Sequence, residues 1–142
     1  MDYLSIEKVK ELITRDATAI NAPLLYLPTF GRNEDYARPE IRVQNNGYHY
    51  VIIERGQEIK HLVTKQLKEL LYWTFRDITF EMACDYEVKN RIEGQDFRWL
   101  LFSKQLELLS IIDEEFTKLR EDEIKKILGK SLLKIKDHLK NV

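Results

Sequence analysis

Ile41-Arg-Val-Gln-Asn-Asn-Gly-Tyr-His-Tyr-Val-Ile-Ile53 is the stretch that decides the fold. Two runs rich in β-branched and aromatic residues flank Asn45-Asn46-Gly47, and Asn-Gly at the centre of a turn is the strongest short hairpin signal. With Asn46 and Gly47 central, Asn45 opposes Tyr48, Val43 opposes Tyr50 and Ile41 opposes Ile52. Side chains alternate along a strand, so one face receives Ile41, Val43, Tyr48, Tyr50 and Ile52, and the other Arg42, Gln44, His49, Val51 and Ile53. The end near Ile53 is apolar on both faces and is expected to be buried on both. Beyond Gly56, Glu58-Ile-Lys-His-Leu-Val63 alternates well enough to add a third antiparallel strand.

Upstream, Ser5 can cap a helix whose apolar positions Ile6, Val9, Leu12, Ile13 and Ile20 recur at helical spacing, ending near residue 19. All three prolines, 23, 28 and 39, lie between this helix and the hairpin. They mark a loop, and its Leu24, Leu25, Tyr26, Leu27 and Phe30 are too apolar for a flexible linker, so it is expected to lie across the core as a lid. Downstream, Thr64 is a plausible cap for a helix with Leu67, Leu70, Leu71, Thr74 and Ile78 in one stripe. Asp77 to Thr79 offers a second cap and hence a kink or corner. Gly94 ends the next helical pattern, and Asp96 begins the longest helix, which is apolar on two sides and therefore central. Asp113-Glu114-Glu115 marks its exit from the core. A last helical segment starts near Glu121 and is interrupted near Gly129, with Ile124, Ile127, Leu128, Leu132, Ile135 and Leu139 as its stripe. The expected fold is α+β: a small antiparallel β-meander of about three strands packed with an N-terminal helix and a C-terminal helical bundle, with Trp73, Leu101 and Leu108 buried.

The chain has 142 residues, 44% of them apolar and 33% charged, which predicts one domain spanning 1–142. A domain of this size buries roughly 68–70% of its unfolded surface and needs no disulfide or metal to hold it. The lone Cys84 agrees with that. The acidic start Met1-Asp2-Tyr3-Leu4-Ser5 does not read as a secretion signal, and no apolar run approaches the ~18–20 residues that span a bilayer, so a cytoplasmic protein is expected. A net charge of −1 gives no global warrant for nucleic acid or an anionic membrane. Its distribution is uneven: six lysines (125, 126, 130, 134, 136 and 140) and one acid, Asp137, lie between Ile124 and Val142, leaving −6 on residues 1–123. The lysine-rich end reads as a solvated helical face, since cations are favoured near a helix C-terminus. Without interleaved arginine or aromatic residues it offers no stacking platform for bases.

Catalytic chemistry has a thin inventory. The three histidines, 49, 61 and 138, lack metal-ligand spacing, and there is no second cysteine to build a zinc site. His49 reads as a half-buried strand residue. Cys84 reads as a small core residue, because a nucleophilic thiol needs an electropositive neighbour. Carboxylates gather at two places: Glu54 and Glu58 bracket Gly56 at a strand end, and Glu87, Glu93 and Asp96 cluster around Gly94. Either set can serve as a site, or can cap helices and pair with Arg55, Arg91 and Arg98. The five glycines sit alone, so no phosphate-cradling loop is present.

Leu27-Pro-Thr-Phe-Gly31, Ala37-Arg-Pro39, Gly47-Tyr-His-Tyr-Val51, Glu54-Arg-Gly56, Glu69-Leu-Leu-Tyr-Trp73 and Asn90-Arg-Ile-Glu93 running on to Asp96 together resemble the bacterial polymorphic-toxin immunity proteins of the immunity protein 63 family. The resemblance runs from about Leu4 to Leu119 and does not reach the lysine-rich end. It implies a small cytoplasmic protein, encoded beside a toxin gene, that binds the toxin domain and blocks it without catalysis; no metal or cofactor is expected, because the sequence lacks a ligand cluster. Such an inhibitor needs a rigid scaffold, a complementary polar face and a few aromatic or arginine anchors. Tyr26, Phe30, Tyr36, Arg38 and Arg55 lie in or beside loops. The residues expected to meet a partner are Arg38, Glu54, Arg55, Glu58, Glu87, Glu93 and Asp96. Two other readings remain: a small hydrolase or transferase using Glu54, Glu58 and His61, and an RNA-associated protein working through its lysine-rich end.

Overall fold

A computed structural model describes residues 2–129, so the lysines from 130 onward, His138 and the apolar positions Leu132, Ile135 and Leu139 lie outside the described residues. The fold is α+β. Helix α1 (Ile6–Ala19) is followed by a single 3-10 turn (Leu24–Tyr26), strands β1 (Thr29–Phe30), β2 (Glu40–Gln44), β3 (Gly47–Glu54) and β4 (Gln57–Thr64), and helices α2 (Leu67–Lys89), α3 (Phe97–Ile112) and α4 (Glu114–Leu128). The chain divides into two compact units, one ending at Phe75 and the other beginning at Arg76. Helix α2 gives its first turns to one and the rest to the other.

In the first unit the strands form one mixed sheet in the order β1-β2-β3-β4. β1 is a fourth strand that the sequence did not announce, paired parallel to β2 through Thr29–Glu40 and Phe30–Ile41. The proline-rich segment is therefore no lid. It supplies a sheet edge, burying Leu27 and Thr29, while Leu24 and Leu25 stand 78% and 75% exposed.

The β2–β3 register also differs from expectation. Ile41 pairs with Tyr50, Val43 with Tyr48 and Gln44 with Gly47, so Asn45 and Asn46 are the central turn residues. The positive φ falls on Gly47, at 133°. A Cβ on Gly47 would lie 2.5 Å from the Thr64 carbonyl oxygen, so this glycine serves the close approach of β3 to the end of β4. The primed turn sits one hairpin later, where Arg55 and Gly56 have φ of 53° and 74°, the left-handed pair that such turns require. The slip between expected and observed pairing is even, and so each side chain keeps its face. Ile41, Tyr48 and Tyr50 are buried. Tyr48 accepts a hydrogen bond at its hydroxyl from the Leu4 backbone N–H at 2.8 Å, Tyr3 packs edge-on against its ring, and the Tyr50 ring lies 6.3 Å from that of Trp73. The N-terminal segment and α2 thus reach the same apolar face. From α1, Val9, Ile13 and Ala17 are buried, four residues apart as one helical stripe requires, and Ser5 caps the helix by accepting from the Lys8 N–H.

Three further expectations need correction. Helix α2 is unbroken at Asp77 to Thr79: it contains neither Gly nor Pro, and the Thr74 and Thr79 hydroxyls donate to the Leu70 and Arg76 carbonyls within the helix, which removes the supposed cap. Trp73 is only half-buried, and the fully enclosed aromatic of this turn is Phe75 at 0% exposure. Helix α4 begins at Glu114, because Asp113, the last cap of α3, also accepts from the Glu115 N–H and starts the next helix. Leu101 and Leu108 are buried as expected. The second unit has its core at Ala83, Leu101, Phe102, Leu106 and Ile124, with Phe80, Cys84, Trp99 and Leu128 against it.

Candidate functional site

The β3–β4 turn gathers three of the expected partner-binding residues. Glu54 ends β3, Arg55 occupies the left-handed turn position and Glu58 lies near the start of β4, all exposed. The 31–39 loop is tied to this turn: Tyr36 bridges to Glu54, the Ala37 N–H donates to the Ile53 carbonyl at 3.1 Å, and Asp35 Oδ1 accepts from the Gly56 N–H at 2.8 Å. Tyr36 is thereby held 85% exposed on a fixed backbone. Arg38 lies in the same loop and is only part-buried. Its Nε donates to the Leu27 carbonyl at 2.7 Å, its Nη2 to the Leu24 carbonyl at 3.2 Å and its Nη1 to Glu34 at 2.9 Å. Arg38 therefore anchors the loop backbone. Exposed Leu24, Leu25, Tyr36 and Arg55 supply the apolar and arginine character that interface centres favour.

In the second unit the expected acids behave differently from one another. Glu87 is buried and accepts two hydrogen bonds from Arg91, at 2.7 and 3.0 Å, and these hold its carboxyl below the usual range. Asp96 caps α3 through the Arg98 N–H and also grips the Arg98 guanidinium. Those bonds to Arg98 lower its pKa as well. Glu93 is exposed in the corner before α3. Burial, followed by the charges of Glu81, Asp85 and Glu87, pushes the Cys84 thiol pKa up, away from nucleophilic use.

The polar face of the sheet carries a constellation of which the sequence reading named only Glu58 and His61 together. Arg42 on β2 donates from Nε and Nη2 to the buried Glu40 carboxylate at 3.0 and 3.1 Å, which raises the arginine pKa. Arg42 opposes His49 across β2–β3. His49 Nδ1 lies 2.7 Å from His61 Nε2, His49 Nε2 lies 2.6 Å from Asn46 Oδ1, and His61 Nδ1 lies 2.9 Å from Glu58 Oε1. Burial first, and then the neighbouring His61 and Arg42 charges, lowers the His49 pKa. The two histidines were legible in principle, since β4 pairs His49 with Val63 and Val51 with His61, making the imidazoles diagonal neighbours on one face. The Glu58 contact was not. Strict alternation puts residues 58 and 61 on opposite faces, and only the bulge at Ile59, where Ile52 pairs with Lys60 but Ile53 with Glu58, brings the carboxylate across. Among the described residues no group of three or more His, Cys, Asp or Glu side chains is placed to hold a metal ion, and no helix is long and apolar enough to cross a membrane.

Comparison with known proteins adds one match. The family model described as Immunity protein 63 covers residues 44–126, from the end of β2 through most of α4. It begins after Leu27–Gly31 and Ala37–Pro39 and continues past Leu119, so those two segments of the resemblance stand outside it. No curated protein matches the chain, and no solved structure does. Since the match takes in more than half of the sequence, the chain belongs to the immunity protein 63 family.

Proposed function

We propose that this protein neutralises a cognate bacterial toxin domain by binding it directly in the cytoplasm, without catalysing a reaction. The observation that carries this reading is its membership of an immunity-protein family. Two structural features support it. The β3–β4 turn and the loop tied to it present Tyr36 and Arg55 on braced backbone, so little ordering entropy is lost on docking. Charge is also partitioned along the sequence: residues 1–123 hold twenty-three acids against seventeen lysines or arginines, whereas 124–142 hold one acid and six lysines. The acidic contribution to a partner's field therefore comes from residues 1–123, with Glu93 exposed there. In this reading Glu54, Arg55 and Glu58 meet the toxin from the turn, Glu87 and Asp96 shape the acidic stretch through their arginine pairs, and Arg38 positions the loop.

Complementary charge acts mainly on association, and buried anchors act on dissociation. Association rates with the toxin encoded beside this gene, measured at two salt concentrations for wild type, Glu58→Lys and Glu93→Lys, test the reading. A rate that falls with salt and falls again on charge reversal is expected. A stable complex whose association ignores both salt and the reversals rejects the acidic surface, and toxin protection without any complex rejects direct binding.

A further inference from the structure

With the Asn46 carbonyl oxygen facing His49, the row Asn46–His49–His61–Glu58 contains a proton count that two neutral histidines cannot meet. Each of its three contacts is at hydrogen-bond distance and needs one hydrogen between its heavy atoms. The Asn46 carbonyl and the Glu58 carboxylate only accept. His49 Nε2 and His61 Nδ1 must then both carry hydrogen, and a third must lie between His49 Nδ1 and His61 Nε2. Two neutral imidazoles bring two hydrogens, not three. We propose that His49 and His61 form a single proton-binding unit that holds one extra proton, and that uptake of a second proton opens the β3–β4 pairing beside them.

The charged groups facing the pair are Arg42, with its partner Glu40, from β2, and Glu58 from β4. His49 is 4% exposed and sits opposite the Arg42 cation, which disfavours charge on its ring. The extra proton accordingly resides on His61, against Glu58. In that state His61 donates from both nitrogens, and His49 accepts at Nδ1 and donates from Nε2. With Glu40, Arg42 and Glu58, the row is then electrically neutral. A second proton on His49 Nδ1 would aim an N–H at the N–H of His61 across 2.7 Å, with two cationic rings 5.0 Å apart between centroids. The rings must part. The element free to yield is β4, the outermost strand of the sheet, bulged at Ile59 beside the row. Loss of the extra proton at higher pH leaves two hydrogens for three contacts, and the row closes again only if the Asn46 amide turns its NH2 toward His49.

Ring-nitrogen NMR titration in a His138→Gln background, which leaves these two histidines to report, tests the unit. His49 is expected to titrate below the ordinary histidine range, and hydrogen exchange of the β4 amides is expected to accelerate through that same step. Coulomb repulsion across the 5.0 Å between ring centroids, at an effective dielectric of about 20, corresponds to about 2–2.5 pH units. His61→Gln, which keeps a hydrogen-bonding side chain and removes the charge, should raise the His49 midpoint by about that amount. A His49 midpoint unmoved by His61→Gln, or β4 exchange indifferent to His49 protonation, overturns the proposal. Should His61→Gln fail to fold, Glu58→Gln reads the other end: removing the counter-charge should lower the pH at which the wild-type pair gives up its extra proton, and an unchanged midpoint would equally overturn it.

Discussion

Gly47→Ala is expected to be the most damaging single-methyl addition in the sheet. Two costs are visible at this position. The backbone has φ of 133°, a region that side-chain-bearing residues avoid at a cost of about 1–3 kcal/mol. The new Cβ would lie 2.5 Å from the Thr64 carbonyl oxygen and 3.1 Å from its carbon, both backbone atoms at the end of β4. Relief requires β4 to move or Tyr48–Thr64 pairing to break, an overpacking cost of about 1–3 kcal/mol. Together these come to about 2–6 kcal/mol, a large share of the ~5–15 kcal/mol that holds a domain folded. Gly56→Ala is the control, because its φ of 74° is also left-handed but no atom lies within 4 Å of the added carbon. It should cost only about 1–2 kcal/mol. Thermal melts of the two variants separate steric contact from backbone preference, at about 2–4 °C per kcal/mol for a chain near this size. If Gly47→Ala melts no lower than Gly56→Ala, the close approach of β3 to the end of β4 is wrong.

Two further outcomes follow from the cores of the units. Phe75→Ala should cost about 3–5 kcal/mol, as deletion of an enclosed aromatic does, and more than Trp73→Ala, since Trp73 is only half-buried; urea denaturation of both variants checks the order. Arg120 is nearly enclosed, donates from Nε to Gln105 Oε1 at 2.9 Å and lies over the Phe80 and Phe102 rings, while Gln105 Nε2 donates to the Arg76 carbonyl and Thr79 Oγ1. Arg120→Met and Gln105→Leu should each be destabilising, and the double variant less so than their sum, with a coupling of about 0.5–3 kcal/mol; simple additivity would mean that the two side chains are not energetically joined.

How much of this fold the sequence discloses depends on which interactions are local. Caps are local, and Ser5, Asp96 and the strand alternation of 41–53 are readable because each rests on a few neighbouring residues. The strongest turn dipeptide was misleading in a specific way: Gly47 satisfies a contact seventeen residues away, at Thr64, and the turn that uses left-handed residues is the less conspicuous Arg55-Gly56. Faces survived the error only because the slip was even. β1 is two residues long and exists through its parallel pairing with β2, which no period in the sequence can signal. The continuous α2 shows the converse, since a Thr-containing cap motif is decided by whether its hydroxyl turns back to a carbonyl of the preceding turn.

The candidate site was less legible, and charge shows why. Acids can be counted from a sequence, but their availability to a partner is set by what they already hold. Glu87 and Asp96 looked equivalent to Glu93, yet each of the first two is bound to an arginine two or four residues away. A reversal at Glu87 would strip Arg91 of its buried partner as well as changing the field, so a weakened complex would not distinguish lost attraction from lost structure. Glu93 is exposed in its corner, and Glu58, although it faces His61, is exposed as well. Reversal at Glu93 changes the long-range field by two charges with little structural cost, whereas reversal at Glu58 also perturbs the histidine pair. If docking is steered by the acidic stretch, Glu93→Lys should slow association and leave stability unchanged. Glu58→Lys should then combine a slower association with an altered His49 titration.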